Sequence, residues 1–312
     1  MVVISRFRSL WGIEPGPDQS EWRKKFVELK AHGYAGIEID FAGMTPEQLQ
    51  LLRKNCDEVG LEISVLLFSS WPKYDGPRPR GLTPDAHLEF YRGQLRLATI
   101  LKPVVINAQS GAYGPLHSEY TTVEILIRYL HSDYWSFDES VYFYRNALEV
   151  EKEEGFEGIV CHETHRNRSL FNPYSTDYIV QRVPQLRITA DISHWVVVCE
   201  RLLDQGEEDR EILDRVIPHV RHIHARMGTT QSSQCPEPLN PAFSAERQFF
   251  EKLWLRIVKL RQQTEPNCRI TWVPEYGPFP YHPIGTAQTH GELADSEGKR
   301  LEALFESAVG QS

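Results

Sequence analysis

Short β-branched runs alternate with amphipathic helical stretches from one end of the chain to the other, and this alternation limits the fold more than any other feature. Val2 to Ser5 reads as a first strand, and Pro17 to Ser20 offers a cap for a helix with Trp22, Phe26 and Leu29 on one face. Gly36 to Asp40 reads as a second strand, and Thr45-Pro46-Glu47 opens the next helix with a cap residue and proline in its first turn. Leu61 to Phe68 is a near-continuous apolar strand of the kind found in parallel sheets covered by helices. A helix over 84–101 precedes a strand at Val104 to Asn107, and a helix over 138–154 precedes one at Gly158 to Cys161. Further strands are read at Arg187 to Asp191, Val220 to His224 and Arg269 to Val273, with helices over 245–263 and 296–308. Unbroken βα units imply a parallel α/β fold, and eight of them imply a closed (β/α)8 TIM barrel forming a single domain over residues 1–312. No Gly-x-Gly-x-x-Gly follows any strand, which counts against an open dinucleotide-binding sheet.

Two segments exceed a minimal barrel. One is the Pro/Arg/Gly-rich stretch from Ser69 to Thr83, and the other is an insertion at about 112–135. The insertion carries its own apolar run, Val123 to Ile127, and is expected to act as a lid or partner contact. A formal charge of −9 without blocks of like charge lacks the general attraction to phosphate that supports nucleic-acid binding. No run approaches the length of a membrane span, and no secretory leader is legible at the N-terminus. Five scattered cysteines without zinc-finger or redox spacing fit a reduced, cytoplasmic protein.

The chemistry gathers at the strand ends. Glu163, Asp191, His224 and Glu275 each fall at or just past the end of one of four successive strands, and barrel closure brings such ends around one rim. A single acidic residue after a strand more often caps a helix, but the same placement on four consecutive units points to one site. Three carboxylates and an imidazole are a hard, oxygen-rich set for one divalent ion: Mn²⁺, Mg²⁺ or Co²⁺, with Zn²⁺ also accommodated.

The stretches around these residues are Cys161-His-Glu-Thr-His-Arg166, Ala190-Asp-Ile-Ser-His-Trp195, His222-Ile-His-Ala-Arg226 and Pro274-Glu-Tyr-Gly-Pro278. Together they resemble the Glu, Asp-x-x-His, His-x-His and Glu pattern of xylose-isomerase-like barrels, also called sugar phosphate isomerase/epimerase-like proteins. The resemblance implies Glu163, Asp191, His224 and Glu275 as metal ligands, with Glu163 and Glu275 also serving as catalytic acid and base. It implies His194 as a group that binds a substrate oxygen. In the ketose 3-epimerases of that family an Arg lies six residues beyond the ligand His, where this chain has Thr230, and a second Glu lies six residues after the first, where this chain has Ser169. Arg226 is the nearer substitute for that arginine.

Around this set, His165, Arg166, Glu38, Asn107 and Gln234 are further substrate-binding candidates, each with a structural alternative such as a salt bridge, a turn or a solvated loop. Trp11, Trp71, Trp135, Trp195 and Tyr276 are candidates for the apolar wall of a sugar site or for packing. The resulting expectation is a divalent-metal-dependent sugar isomerase or epimerase that removes a proton next to a carbonyl through a metal-stabilised enediolate. A lyase eliminating from a 3-keto-glycoside would share that first step. A phosphodiesterase of the apurinic-endonuclease type would need more His and Asp ligands than the loop 225–236 offers. The expected partner is a small, nearly neutral sugar, with no nucleic acid and no membrane, and a homo-oligomer is compatible with the sequence.

Overall fold

The computed structural model describes residues 2–13, 21–70, 83–112, 135–265 and 267–310. Eight parallel strands follow one another in chain order and close on themselves, β1 pairing with β8 through Val3↔Arg269 to Arg6↔Trp272. The strands are β1 Val3–Ser9, β2 Gly36–Asp40, β3 Glu62–Phe68, β4 Val105–Gln109, β5 Val160–Glu163, β6 Ile188–Ala190, β7 Val220–His224 and β8 Arg269–Val273. The helices between and after them are α1 Trp22–Ala31, α2 Pro46–Val59, α3 Pro84–Ala98, α4 Phe137–Glu153, α5 Pro173–Arg182, α6 Ser193–Cys199, α7 Glu207–Val216, α8 Ser244–Thr264 and α9 His290–Val309. The fold is the single-domain (β/α)8 barrel that the alternation predicts. Most of the insertion, and with it the apolar run 123–127, lies outside the described residues, as do Trp71 and the cap proposed at 17–20.

Local chemistry accounts for the element ends. Thr45 accepts a hydrogen bond from the Gln48 amide while Gln48 reaches back to Thr45, and Pro46 occupies the first turn, so α2 starts where its sequence signals it. Ser136 with Glu139 and Thr289 with Glu292 form the same reciprocal box on α4 and α9. The last of these starts α9 at His290, six residues before the 296 that the apolar periodicity suggests. Strand β5 begins at Val160 because Gly158 has φ +85°, a conformation that interrupts a strand and excludes most side chains. Strand β1 runs on through Arg6 and Arg8, whose buried side chains pair with Glu302 (3.2 Å) and Asp295 (3.0 Å) of α9.

Strand alternation divides the residues into two sets. Ile37, Ile39, Ile63, Val65, Leu67, Ile106, Ile223 and Trp272 join helix residues such as Leu49, Leu52, Tyr91, Trp254 and Phe305 in one continuous core. Burying each such side chain contributes roughly 1.5–3 kcal/mol, so this layer holds the helices to the barrel. The inward set is polar: Glu38 and Ser64 are register partners on β2 and β3, and His222 and Thr271 on β7 and β8. Between β6 and β7 the register shifts, Ile188 pairing with Val220 but Thr189 with His222, so Arg221 has no partner in the ladder, which is bulged just below Asp191.

Candidate metal centre

The inward polar residues form a connected network. Thr271 Oγ1 lies 2.7 Å from His222 Nδ1, His222 Nε2 lies 3.2 Å from Glu38 Oε2, and Ser64 donates to the same oxygen at 2.8 Å. Glu38 Oε1 is 3.0 Å from His224 Nε2. Burial alone would lower the His224 pKa, but Glu275, Glu38 and Glu163 hold it well above its ordinary value, so the ring carries a proton on the rim side that a bound cation would displace. Burial alone would raise the Glu38 pKa, yet His224 and His222 bring it well below the usual carboxylate range. Glu38 is therefore an ionised anchor for two histidines as well as part of the cavity wall.

At the rim, one ligand atom from each of Glu163, Asp191, His224 and Glu275 lies within 4.8 Å of all the others, and all four residues are buried. His224 Nδ1 is 3.1 Å from Glu275 Oε2 and 3.9 Å from Glu163 Oε1. Those three atoms are buried and have no hydrogen-bond partner. Buried polar atoms are nearly always satisfied, and a cation between these three would satisfy them together. The residues therefore fit a divalent ion. The remaining atoms are occupied: Asn107 Nδ2 donates to Glu163 Oε2 at 2.7 Å, and Ser193 donates to Asp191 Oδ1 through both its amide (3.1 Å) and its hydroxyl (2.5 Å).

The carboxylates differ in proton affinity. Burial raises the pKa of Glu163, opposed by His224 and reinforced by the negative charges of Glu275 and Asp191. Burial likewise raises Asp191, against the pull of Arg226. Glu275 is held below its ordinary value, because Arg226 and His224 outweigh its burial.

His194 and Arg226 stand beside this set. Arg226 Nη2 lies 2.7 Å from His194 Nε2. Because a guanidinium has no acceptor, that nitrogen is the bare one and Nδ1 carries the hydrogen. His194 Nδ1 is buried without a partner, and burial followed by the nearby His165 and Arg226 keeps the ring neutral. His165 packs 3.9 Å from it, ring centre to ring centre, and its Nδ1 lies 2.5 Å from the Arg166 carbonyl oxygen. Glu163, His165 and His194 form a second group whose ligand atoms lie within 4.8 Å of one another.

The adjoining cavity of about 180 Å³ is lined by Ser9, Trp11, Glu38, Asp40, Leu66, Phe68, Gln109, His165, Arg226, Glu275 and Tyr281. Trp11 lies edge-on to Tyr281 at 4.9 Å, and Arg166 and Arg226 sit over the Tyr281 ring at 5.0 and 5.2 Å. A Cβ on Gly277 would come within 2.1 Å of the Trp11 ring, so a glycine is needed there for the indole to lie against the β8 loop. Gln234 bonds Gly277 in both directions, Nε2 to its carbonyl at 3.1 Å and Oε1 from its amide at 2.8 Å. Its polar atoms thus tie two rim loops together. Asn107 faces Glu163 and does not line the cavity. Trp135, Trp195 and Tyr276 are buried packing residues, leaving Trp11 as the described tryptophan on the cavity wall. Sequence reasoning passed over Ser64, Ser193, Asp40 and Tyr281. Ser193 sits inside the Asp191-to-His194 motif and Tyr281 in an aromatic, proline-rich run, whereas Ser64 carries no local signal.

A closed parallel barrel with a carboxylate–imidazole cluster at the carboxyl ends of its strands defines a class of scaffold in which the rim carries the chemistry. This chain belongs to the xylose isomerase-like TIM barrel family, whose model matches residues 26–243. No curated protein matches the sequence significantly. Among solved structures, a D-tagatose 3-epimerase-like protein is similar over 98% of both chains, with 16% identity and a TM-score of 0.61. A xylose isomerase-like TIM barrel protein from Mycobacterium smegmatis in complex with magnesium is 14% identical, covering 98% of this chain and 97% of its own, with a TM-score of 0.57. Endonuclease IV from Thermus thermophilus is 11% identical over 99% of both chains, with a TM-score of 0.53. These likenesses are of fold. Among the described residues no helix is long and apolar enough to cross a membrane.

Proposed function

We propose that the protein is a divalent-metal-dependent isomerase or epimerase of a small sugar, moving a proton on the carbon next to a carbonyl. The observation that carries this reading is the convergence of Glu163 Oε1, His224 Nδ1 and Glu275 Oε2, each buried without a hydrogen bond, on one point beside a small cavity. A divalent ion held by Glu163, Asp191, His224 and Glu275 would supply positive charge beside the carbonyl oxygen and so acidify the neighbouring C–H.

The chain's own residues supply the proton transfers. Glu163 ends β5 and Glu275 lies just past β8, and both approach His224 Nδ1. A substrate carbon between them meets one carboxylate on each face. One of Glu163 and Glu275 takes the proton and the other returns one. Return to the opposite face inverts the centre, and return to the former carbonyl carbon, with the hydroxyl proton passing to the former carbonyl oxygen, isomerises the sugar. His194 offers its Nδ1–H to a substrate oxygen, and Trp11 and Tyr281 present apolar faces to the sugar's C–H groups.

The cavity volume of about 180 Å³ supports a small substrate. A single ion is favoured over a multi-zinc phosphodiesterase centre because Arg226 already occupies His194 Nε2. Incubation with ketoses and 3-keto-glycosides in deuterated water tests the reading. Metal-dependent deuterium uptake with an epimerised or isomerised product is expected. Elimination of an aglycone would replace the isomerase reading with the lyase, and exchange that is indifferent to metal would overturn both.

A further inference from the structure

Glu163, Asp191 and Glu275 are buried carboxylates, and as ligands, all ionised and with His224 neutral, they would carry three negative charges. A divalent ion would leave one of them uncompensated inside the protein. Arg226 stands where the missing charge is required. Its Nη2 lies 2.5 Å from Asp191 Oδ2 and its Nη1 3.4 Å from Glu275 Oε2. The guanidinium is fixed from its other sides as well, by Ser193 Oγ at 3.2 Å from Nε and by His194 Nε2 at 2.7 Å from Nη2. Ser193 in turn donates to Asp191, so the arginine, the serine and the aspartate lock one another. Arginine stays protonated in proteins, which makes the charge permanent.

We infer that Arg226 is a built-in counter-cation of the metal centre: it offsets one carboxylate charge of the ligand set whatever ion binds, and so biases the site toward divalent ions over trivalent ones. The inference rests on the metal-centre reading of the proposed function. Arg226 is on this account a positioning residue that acts through the ligands, with Nε and Nη2 held by Ser193, Asp191 and His194. The electrostatics give a signed consequence. A fixed positive charge repels an incoming ion in proportion to that ion's charge, so removing it favours a trivalent ion over a divalent one. At a few ångströms inside a buried site, one unit of charge is worth about tenfold or more in a binding constant.

Calorimetric titration of the full-length protein with Mn²⁺ and, separately, Tb³⁺ reads this as the ratio of the two affinities. Arg226→Gln is expected to raise the Tb³⁺ to Mn²⁺ ratio about tenfold or more, while Arg226→Lys, which keeps the charge, stays near the wild-type ratio. A ratio unchanged in Arg226→Gln overturns the proposal, even if both affinities fall, because orientation of Asp191 alone would weaken both ions alike. Should Arg226→Gln fail to fold, the comparison moves to Asp191→Asn against Asp191→Asn/Arg226→Gln, in which the Arg226–Asp191 pair is removed as a whole. The double variant is expected to show the higher ratio by the same factor, and equal ratios overturn the proposal. A wild-type protein that takes up neither ion overturns the metal centre itself, a result distinct from a ratio that stays flat.

Discussion

The Nε2 of His224 lies 3.0 Å from Glu38 Oε1, although the two residues sit on β7 and β2 and are separated by most of the chain. Glu38 also receives His222 and Ser64, so one carboxylate holds both histidines of the β7 strand end. The relationship decides which imidazole nitrogen faces Glu163 and Glu275. Partners of a metal-binding imidazole typically contribute 10–100-fold to metal affinity. Glu38→Gln should therefore weaken Mn²⁺ binding by roughly that factor while the folded barrel persists, as titration alongside circular dichroism would register. Unchanged affinity would remove Glu38 from the account.

Glu163→Gln and Glu275→Gln each delete one proton-transfer group. Turnover should fall by about 10²–10⁴-fold in either variant, with a smaller change in KM, because such a group contributes mainly in the transition state. Steady-state kinetics on the substrate found by deuterium exchange would measure this. A variant retaining near-normal kcat would show that its residue moves no proton.

His87 gives the barrel an acid sensitivity of its own. Its ring packs against Trp135 at 4.6 Å and its Nδ1 meets Ser69 Oγ at 2.9 Å. Burial, with help from Arg168, lowers its pKa to about 3 from an ordinary 6.5. Below 6.5 the unfolded chain takes up a proton that the folded chain refuses until about 3. Stability is therefore full above about 6.5 and declines as pH falls, by up to ~1.4 kcal/mol per pH unit from this group. His87→Gln, which keeps a polar partner for Ser69, should flatten the dependence of the urea midpoint on pH between about 6 and 4. A wild-type slope in the variant would contradict the assignment.

Phe305 of α9 stacks edge-on with Trp272 of β8 at 5.0 Å, and both are fully buried. Phe305→Ala should lose about 3–5 kcal/mol of unfolding free energy through lost burial and the cavity left behind. Mn²⁺ affinity at room temperature should be unaffected, since the pair faces the helices and the centre faces the barrel axis. Coupled loss of metal binding in the folded variant would mean that α9 packing shapes the rim.

The fold was legible because period-two apolar runs and helix caps are local properties. Thr45 and Pro46 mark the α2 start as plainly in the sequence as in the structure. Misread boundaries have tertiary causes: Arg6 and Arg8 look like the end of β1 until their partners on α9 are known. At the site, Glu163, Asp191, His224 and Glu275 stand out because one placement recurs on four successive units. The anchoring of His224 by Glu38 and the locking of Arg226 onto Asp191 depend on barrel closure and a loop path, which no local pattern encodes. Gln234 likewise reads as a polar loop residue, and only the approach of Gly277 gives it a clamp to form.

The most direct test of the central claim is a crystal structure of the protein soaked in Mn²⁺, with anomalous scattering to locate the ion and elemental analysis to count it. The account predicts one ion per chain at the strand ends, bound by Glu163, Asp191, His224 and Glu275, with the Arg226 guanidinium still against Asp191. An ion elsewhere, two ions sharing Glu163 with His165 and His194, or no ion at saturating Mn²⁺ would contradict it.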